Sequence, residues 1–319
     1  MEDLTDAPAI PVLSGDGRLL DLLFSLRGKG SVHSVFTRVV NLLAPGGTLI
    51  ALAARGSGDA PRTLVADVAD WSAYQLGAGL DVTFATGNIA LDRSPAPRPP
   101  LRLATAGARA WHPAAPSLAP LPPGALAGAA DAVARICRVH GPLGGMLGAR
   151  PGAGPMEAAV VRALHAGRDL LLSGLRTGDR ERTRDGVLAL LGLGPGLTPA
   201  GDDFLTGLVL VAALPGSRLD GFPPLLRDLL ADRGDRTTAL SLATLSEAAE
   251  GRVRSELLRL VALLAHGNPT AAGPGGGPRS GELHASVREV LAIGHSSGGD
   301  LLSGLAAGLR LEEELRGPL

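Results

Sequence analysis

Two textures divide the chain. Between Arg18 and about Leu91, apolar and polar positions alternate over short runs such as SVHSVFTRVV and TLIAL, which flank the turn Ala44-Pro45-Gly46-Gly47. DVTF and NIAL flank Ala85-Thr86-Gly87 in the same way, so this stretch reads as strands and hairpins. After Gly124 come segments of helical length at 125–140, 156–175, 181–191, 199–214, 239–266 and 282–316, separated by glycine and proline. The expected fold is therefore α+β, with a β-rich N-terminal domain over 1–93 and a mainly α-helical domain over 125–319. In the joining segment, 94–124, prolines at 95, 97, 99, 100, 113, 116, 120, 122 and 123 each remove a backbone donor. It is expected to be an ordered linker without regular structure.

Phe204 to Leu214 is apolar nearly all round, the pattern of a central helix covered by others. Its start is echoed later in the chain: Gly201, Asp203, Leu205, Thr206, Gly207 and Leu208 are matched at one constant offset by Gly298, Asp300, Leu302, Ser303, Gly304 and Leu305. A weaker echo runs from Asp169 to Leu175, with one extra leucine. Shared helix-packing chemistry and true pseudo-symmetry both account for the repeat, and either places the two helices near each other.

The densest concentration of unusual choices is GLGPGLTPAGDDFLTG, residues 192–207. Gly192, Gly194 and Gly196 alternate with Leu193, Pro195 and Leu197, leaving backbone amides free to face an anion. Thr198 followed by Pro199 is a cap-and-first-turn signal, so a helix is expected to begin at 199. No lysine follows as in a Walker A loop, and the preceding ERTRDGVLALL is helical where a dinucleotide fingerprint needs a strand. Asp202 and Asp203 favour a helix start, yet each ionised carboxylate repels a phosphate by about 4 kcal/mol at about 4 Å and an effective dielectric near 20. A bridging divalent cation, aspartates turned away to hold loop amides, or a ligand that donates hydrogen bonds would each resolve the conflict. Because Asp203 recurs as Asp300 and Asp202 does not recur, Asp203 is assigned to architecture and Asp202 to ligand contact. Both stand as candidate catalytic residues, with Asp202 the candidate ligand for Mg2+.

Gly294-His295-Ser296-Ser297-Gly298 matches the nucleophile-elbow pattern G-x-S-x-G, but no histidine follows Ser296 to serve as its base. The segment is read instead as a loop capping the helix of Asp300, with Ser296, Ser297 and Gly298 lining a pocket beside the first motif. The seven histidines show no metal-ligand spacing, and Cys137, the single cysteine, lies among apolar neighbours as a buried thiol. His33, between Ser31 and Ser34 on an expected strand, is a candidate substrate contact. Glu312, Glu313 and Glu314 read as a solvated helix end. GPGGGPRSG at 273–281 is too rich in glycine to hold structure alone and reads as a surface linker or lid.

Composition narrows the function classes. Apolar residues make up 45% of the chain against 19% charged, enough for a packed interior. A formal net charge of −1 without a basic cluster excludes a nucleic-acid partner, and no apolar run reaches the ~20 residues of a membrane span. A start without a signal-peptide pattern and a lone cysteine point to the cytoplasm.

Taken in order, GSVHSVFTRVVN at 30–41, GLGPGLTPAGDDFLTG at 192–207 and IGHSSGGDLLSG at 293–304 resemble the AllH-like family, the subunits associated with oxamate carbamoyltransferase. The resemblance implies carbamoyl transfer between carbamoyl phosphate and oxamate, giving oxalurate, in allantoin and purine-nitrogen breakdown, together with other carbamoyltransferase subunits. The Ser-Thr-Arg-Thr phosphate motif of the aspartate and ornithine enzymes is absent, so such activity needs a different site. Gly194, Gly196, Thr198 and Gly201 would hold the anionic group and Ser296, Ser297 and Gly298 would complete the pocket. The alternative is a non-catalytic subunit that binds a small metabolite or organises its partners.

Overall fold

The computed structural model describes residues 9–94, 98–119, 121–266 and 278–317. The chain divides into two compact units, Met1–Pro113 and Ala114–Leu319.

The first unit is a barrel. Its elements are β1 (Ile10–Asp16), α1 (Gly17–Ser25), β2 (Gly28–Val35), β3 (Val39–Leu43), β4 (Leu49–Ala54), β5 (Thr63–Ala66), β6 (Asp81–Ala85), β7 (Asn88–Leu91), β8 (Leu101–Ala104) and β9 (Arg109–Trp111). The sheet runs β5-β4-β3-β2-β6-β7-β8-β1, and β1 pairs back on β5 to close it. β8 and β9 occupy successive stretches of one edge of β1, at Ile10–Pro11 and Ser14–Asp16, so nine strands make an eight-stranded wall. Closure removes exposed sheet edges. Val40, Leu42, Leu52, Leu64, Val82 and Leu91 fill the interior, and Leu19 and Leu23 of α1 pack into the same core. The carboxylate of Asp16 caps α1 at the Arg18 amide, 3.2 Å, and takes the Arg62 amide at 2.8 Å.

The hairpin expected around Ala85–Gly87 is present as β6–β7, with Phe84 opposite Ile89. SVHSVFTRVV differs from a single strand: it folds at Phe36–Arg38 into β2 and β3, and Ala44–Gly47 then joins β3 to β4. β8 and β9 correct the expectation that the proline-rich segment carries no regular element. Leu101 to His112 is free of proline, so every amide there can donate, and β8 pairs β7 on one side and β1 on the other. α1 also lies where only strands were expected; two apolar pairs, Leu19-Leu20 and Leu22-Leu23, carry its amphipathic pattern.

The second unit is helical: α2 (Ala125–His140), α3 (Pro155–Thr177), α4 (Arg180–Leu190), α5 (Ala200–Ala213), α6 (Phe222–Arg233), α7 (Ala239–Ala248), α8 (Ser255–His266), α9 (Pro278–Leu291) and α10 (Ser297–Arg316). α5 is buried from Ala200 to Ala212, as its all-round apolar pattern requires. Gly251, at φ +73°, lies in the break between α7 and α8, and Gly294, at φ +61°, in the break between α9 and α10, so two long expected helices become four. α6 had no counterpart in the sequence reading, although Pro223 in its first turn is a start signal.

The acidic end of α10 is not a solvated surface. Glu312 is fully buried, accepts from Ser217 Oγ and the Arg218 amide at 2.8 Å each, and pairs with Arg316 at 3.0 Å. Glu313 accepts from the Gly124 and Leu126 amides at 2.6 and 3.0 Å, supplying α2 with the cap that its own N-cap glycine lacks. Arg316 is the i,i+4 neighbour on the same helix, but Ser217, Arg218, Gly124 and Leu126 lie far away in sequence, where no local charge pattern announces them. Of the expected lid, 273–277 lies outside the described residues, and from Pro278 the backbone is already helical. Among the described residues no helix is long and apolar enough to cross a membrane.

Candidate functional site

The repeat seen in the sequence is a structural one. A Cβ added to Gly207 would stand 2.0 Å from the Leu301 carbonyl oxygen, and one added to Gly304 would stand 2.0 Å from that of Phe204. Each contact is the other's counterpart under the sequence offset, the reciprocity that a two-fold relation produces. The helix starts repeat it: the Asp202 and Asp203 amides donate to Pro199 O at 2.9 and 3.1 Å, and the Gly299 and Asp300 amides to Ser296 O at 2.9 and 3.1 Å. Gly201 and Gly298 serve the same purpose in both copies. A Cβ on either would fall about 2 Å from a carbonyl oxygen of the preceding helix, Leu190 or Val290.

The two helix starts meet. Thr198 Oγ1 and Ser297 Oγ share a hydrogen bond of 2.9 Å. Thr198 thus does not cap α5 with its side chain; Pro199 occupies the cap position and the helix begins at Ala200. Gly192, Gly194 and Gly196 have φ of +75°, +128° and +95°, a backbone path that side chains other than glycine rarely follow. Beside this loop the amides of Gly194, Gly196, Leu197, Thr198 and Ala200 have no hydrogen-bond partner among the described residues.

Asp202 and Asp203 differ in what their carboxyl groups touch. Asp202 is 1% exposed, accepts from the Gly192 amide at 2.8 Å through Oδ1 and from the Thr237 hydroxyl through Oδ2. Both oxygens are thus committed to holding the loop, and Asp202 is not presented to a cation. Thr238, next in sequence, donates to Leu197 O at 2.6 Å and pins the far side of the loop. Burial raises the Asp202 carboxyl above its usual range, opposed by the Gly192 amide and the Thr237 and Ser241 hydroxyls.

Asp203 is buried too, but its Oδ2 has no hydrogen-bond partner among the described residues. Burial pushes its carboxyl up to about 8; the hydroxyls of Ser297 and Thr198 oppose the rise, and Asp300 and Asp202 add to it. Its counterpart Asp300 is 1% exposed, accepts from the Met146 amide at 2.6 Å through Oδ1, and likewise leaves Oδ2 without a partner. Burial pushes Asp300 up to about 7, opposed by Met146 and Ser296. A Cβ on Gly145 would lie 2.3 Å from Asp300 Oδ1, so the turn Gly145–Leu147 presses directly on this carboxylate. That turn was missed in the sequence; its signal was the glycine cluster GPLGGMLG at 141–148, with no polar side chain to draw attention.

The second unit therefore brings together Thr198, Asp203, Ser296, Ser297 and Asp300 with the glycine loop. His33 belongs to the first unit, at a bulge between Val32 and Ser34 of β2, with Nδ1 3.1 Å from Ser34 Oγ. Asn41 donates to the same Ser34 oxygen at 2.9 Å. Among the described residues no three His, Cys, Asp or Glu side chains converge as a metal site. Two carboxyls that titrate near neutrality beside unpaired amides can move protons and accept or donate hydrogen bonds to a small polar ligand.

Residues 190–309, which contain both helix starts, match the family model described as oxamate carbamoyltransferase subunit AllH. Residues 11–110, the barrel, match the AllH family N-terminal domain. No solved structure matches the chain. With one model covering the barrel and the other the site-bearing helices, the chain belongs to the AllH family of oxamate carbamoyltransferase subunits.

Proposed function

We propose that the joined starts of α5 and α10 form a carbamoyl-transfer site, at which this subunit acts with its companion subunits on carbamoyl phosphate and oxamate or, in reverse, on oxalurate and phosphate. The observation that carries the reading is the pair of buried carboxyls, Asp203 and Asp300, each with an unpartnered Oδ2. In the transfer, the oxamate nitrogen attacks the carbamoyl carbon, a C–N bond forms and the C–O bond to phosphate breaks. The nitrogen loses one proton and the departing phosphate gains one. A pair of acids near 8 and 7 holds one partner protonated and the other available as base around neutrality.

Protonation of Asp203 eases the conflict between the aspartates and an anion. A neutral carboxyl exerts none of the ~4 kcal/mol repulsion that an ionised one would. The unpaired amides of Gly194, Gly196 and Leu197 and the start of α5 then favour the phosphate or carboxylate group. Gly201 and Gly298 set the spacing of the helices rather than touching ligand, and Ser296, Ser297 and Thr198 position the acids.

The test is carbamoyl transfer by the assembled enzyme containing Asp203→Asn or Asp300→Asn in this subunit. Each substitution keeps shape and removes the transferable proton, so kcat should fall by about 10²- to 10⁴-fold. Full activity in both variants would overturn the catalytic reading and leave this subunit a binding or assembly component.

A further inference from the structure

Next to the helix starts, α2, α3 and α10, with Phe204 of α5 and the turn Gly145–Leu147, line a cleft of about 560 Å³ made only of residues of the second unit. Its floor is apolar and buried, formed by Cys137, Phe204, Leu302 and Ala306. Arg138, Arg168, Arg176 and Arg310 stand around it, together with the carboxylates Asp169 and Glu314.

The four cations are unequally engaged. Arg176 pairs with Glu314 at 2.8 Å across helices, and Arg310 pairs with Asp131. Arg168 pairs at 2.8 Å with its exposed chain neighbour Asp169, a contact screened by solvent and easily given up. Arg138 is exposed, with no ion-pair partner among the described residues. A guanidinium on the rim of an apolar cleft recognises a planar or tetrahedral acid group, while the floor needs a ligand that brings apolar surface. A bare inorganic anion would leave the floor empty, and a neutral hydrocarbon would leave Arg138 unused. Burial pushes the Cys137 thiol up to about 12, so the floor holds no nucleophile and the cleft is a binding rather than a covalent site.

We propose that this cleft binds an amphipathic organic anion, with a single carboxylate, phosphate or sulfonate against Arg138 and Arg168 and an apolar body over Phe204 and Leu302. Met146 lines the cleft and gives its amide to Asp300, so the ligand and the acid pair share one wall. The inference is independent of the carbamoyl-transfer reading, and its test uses binding alone.

The probes are 8-anilinonaphthalene-1-sulfonate and its uncharged analogue N-phenyl-1-naphthylamine, titrated by fluorescence into the full chain, Arg138→Gln and Ala307→Trp. Arg138 is exposed and Ala307 half-buried on the cleft wall, so both variants retain the helices. The sulfonate should bind at least about tenfold more tightly than the neutral probe, and Arg138→Gln should reduce that preference severalfold, Arg168 supplying the remainder. Ala307→Trp, which fills the cleft, should remove binding of both probes. Equal affinity for the two probes in the full chain, or sulfonate binding unchanged in either variant, would overturn the proposal.

Discussion

Thr198 and Ser297, 99 residues apart in sequence, share a hydrogen bond of 2.9 Å that ties the start of α5 to the start of α10. Around that tie lie two carboxyls, Asp203 and Asp300, which burial keeps protonated far above the ordinary range for aspartate. A pair of repeated helix starts thereby becomes one polar pocket inside an apolar bundle.

The raised carboxyls set a pH dependence of stability. Asp203 moves from 3.8 to about 8 on folding, so between roughly pH 4 and 8 the folded state holds a proton that the unfolded state has lost. Stability contributed by this group is fully present below the unfolded value and is lost as pH rises through that window, by about 1.4 kcal/mol per unit, levelling above about 8. Urea unfolding at pH 5, 6.5 and 8 should show the decline, and Asp203→Asn should make it shallower, leaving the part that Asp300 contributes below about pH 7. A variant with the slope of the parent would remove Asp203 from this account.

Substitution of Asp202 should cost stability where that of Asp203 does not. Its carboxylate holds the Gly192 amide and the Thr237 hydroxyl, so Asp202→Ala leaves a buried loop amide without its acceptor. A loss of about 2–4 kcal/mol at pH 7 is expected from chemical denaturation. Asp203→Asn, measured beside it, should be neutral or stabilising at that pH.

The reciprocal glycines offer a test of the two-fold packing. Gly207→Ala and Gly304→Ala each drive a methyl to about 2 Å from a helix carbonyl on the other copy, and each should lower stability by more than about 3 kcal/mol. Gly281→Ala is the control, since an added Cβ there meets open space on an exposed turn of α9. It should raise stability slightly, by up to about 1 kcal/mol of helix propensity, with a small rise in melting temperature.

Glu312 provides a fourth check. It is buried with Ser217, Arg218 and Arg316 around it, and Glu312→Ala leaves those donors unsatisfied. A destabilisation of about 3–5 kcal/mol should appear in thermal melts. A melting temperature equal to the parent's would return Glu312 to the solvated role that its charge run suggested.

The sequence by itself determined the change from strands to helices near Gly124, the β6–β7 hairpin, the buried character of α5 and the repeat that pairs Gly207 with Gly304. These are local signals: side-chain period, turn chemistry and glycine placement act within a few residues, and each survives in the fold. Only tertiary structure decided that β1 closes on β5, that Glu312 and Glu313 turn inward, and that Asp202 holds the loop while Asp203 packs beside Ser297 and Asp300. Adjacent aspartates on a helix point about 100° apart, and which one meets Thr237 or Ser297 depends on helices far away in sequence. The charge state of Asp203 follows the same rule, because desolvation is set by everything packed around a carboxyl and not by the residues beside it in the chain.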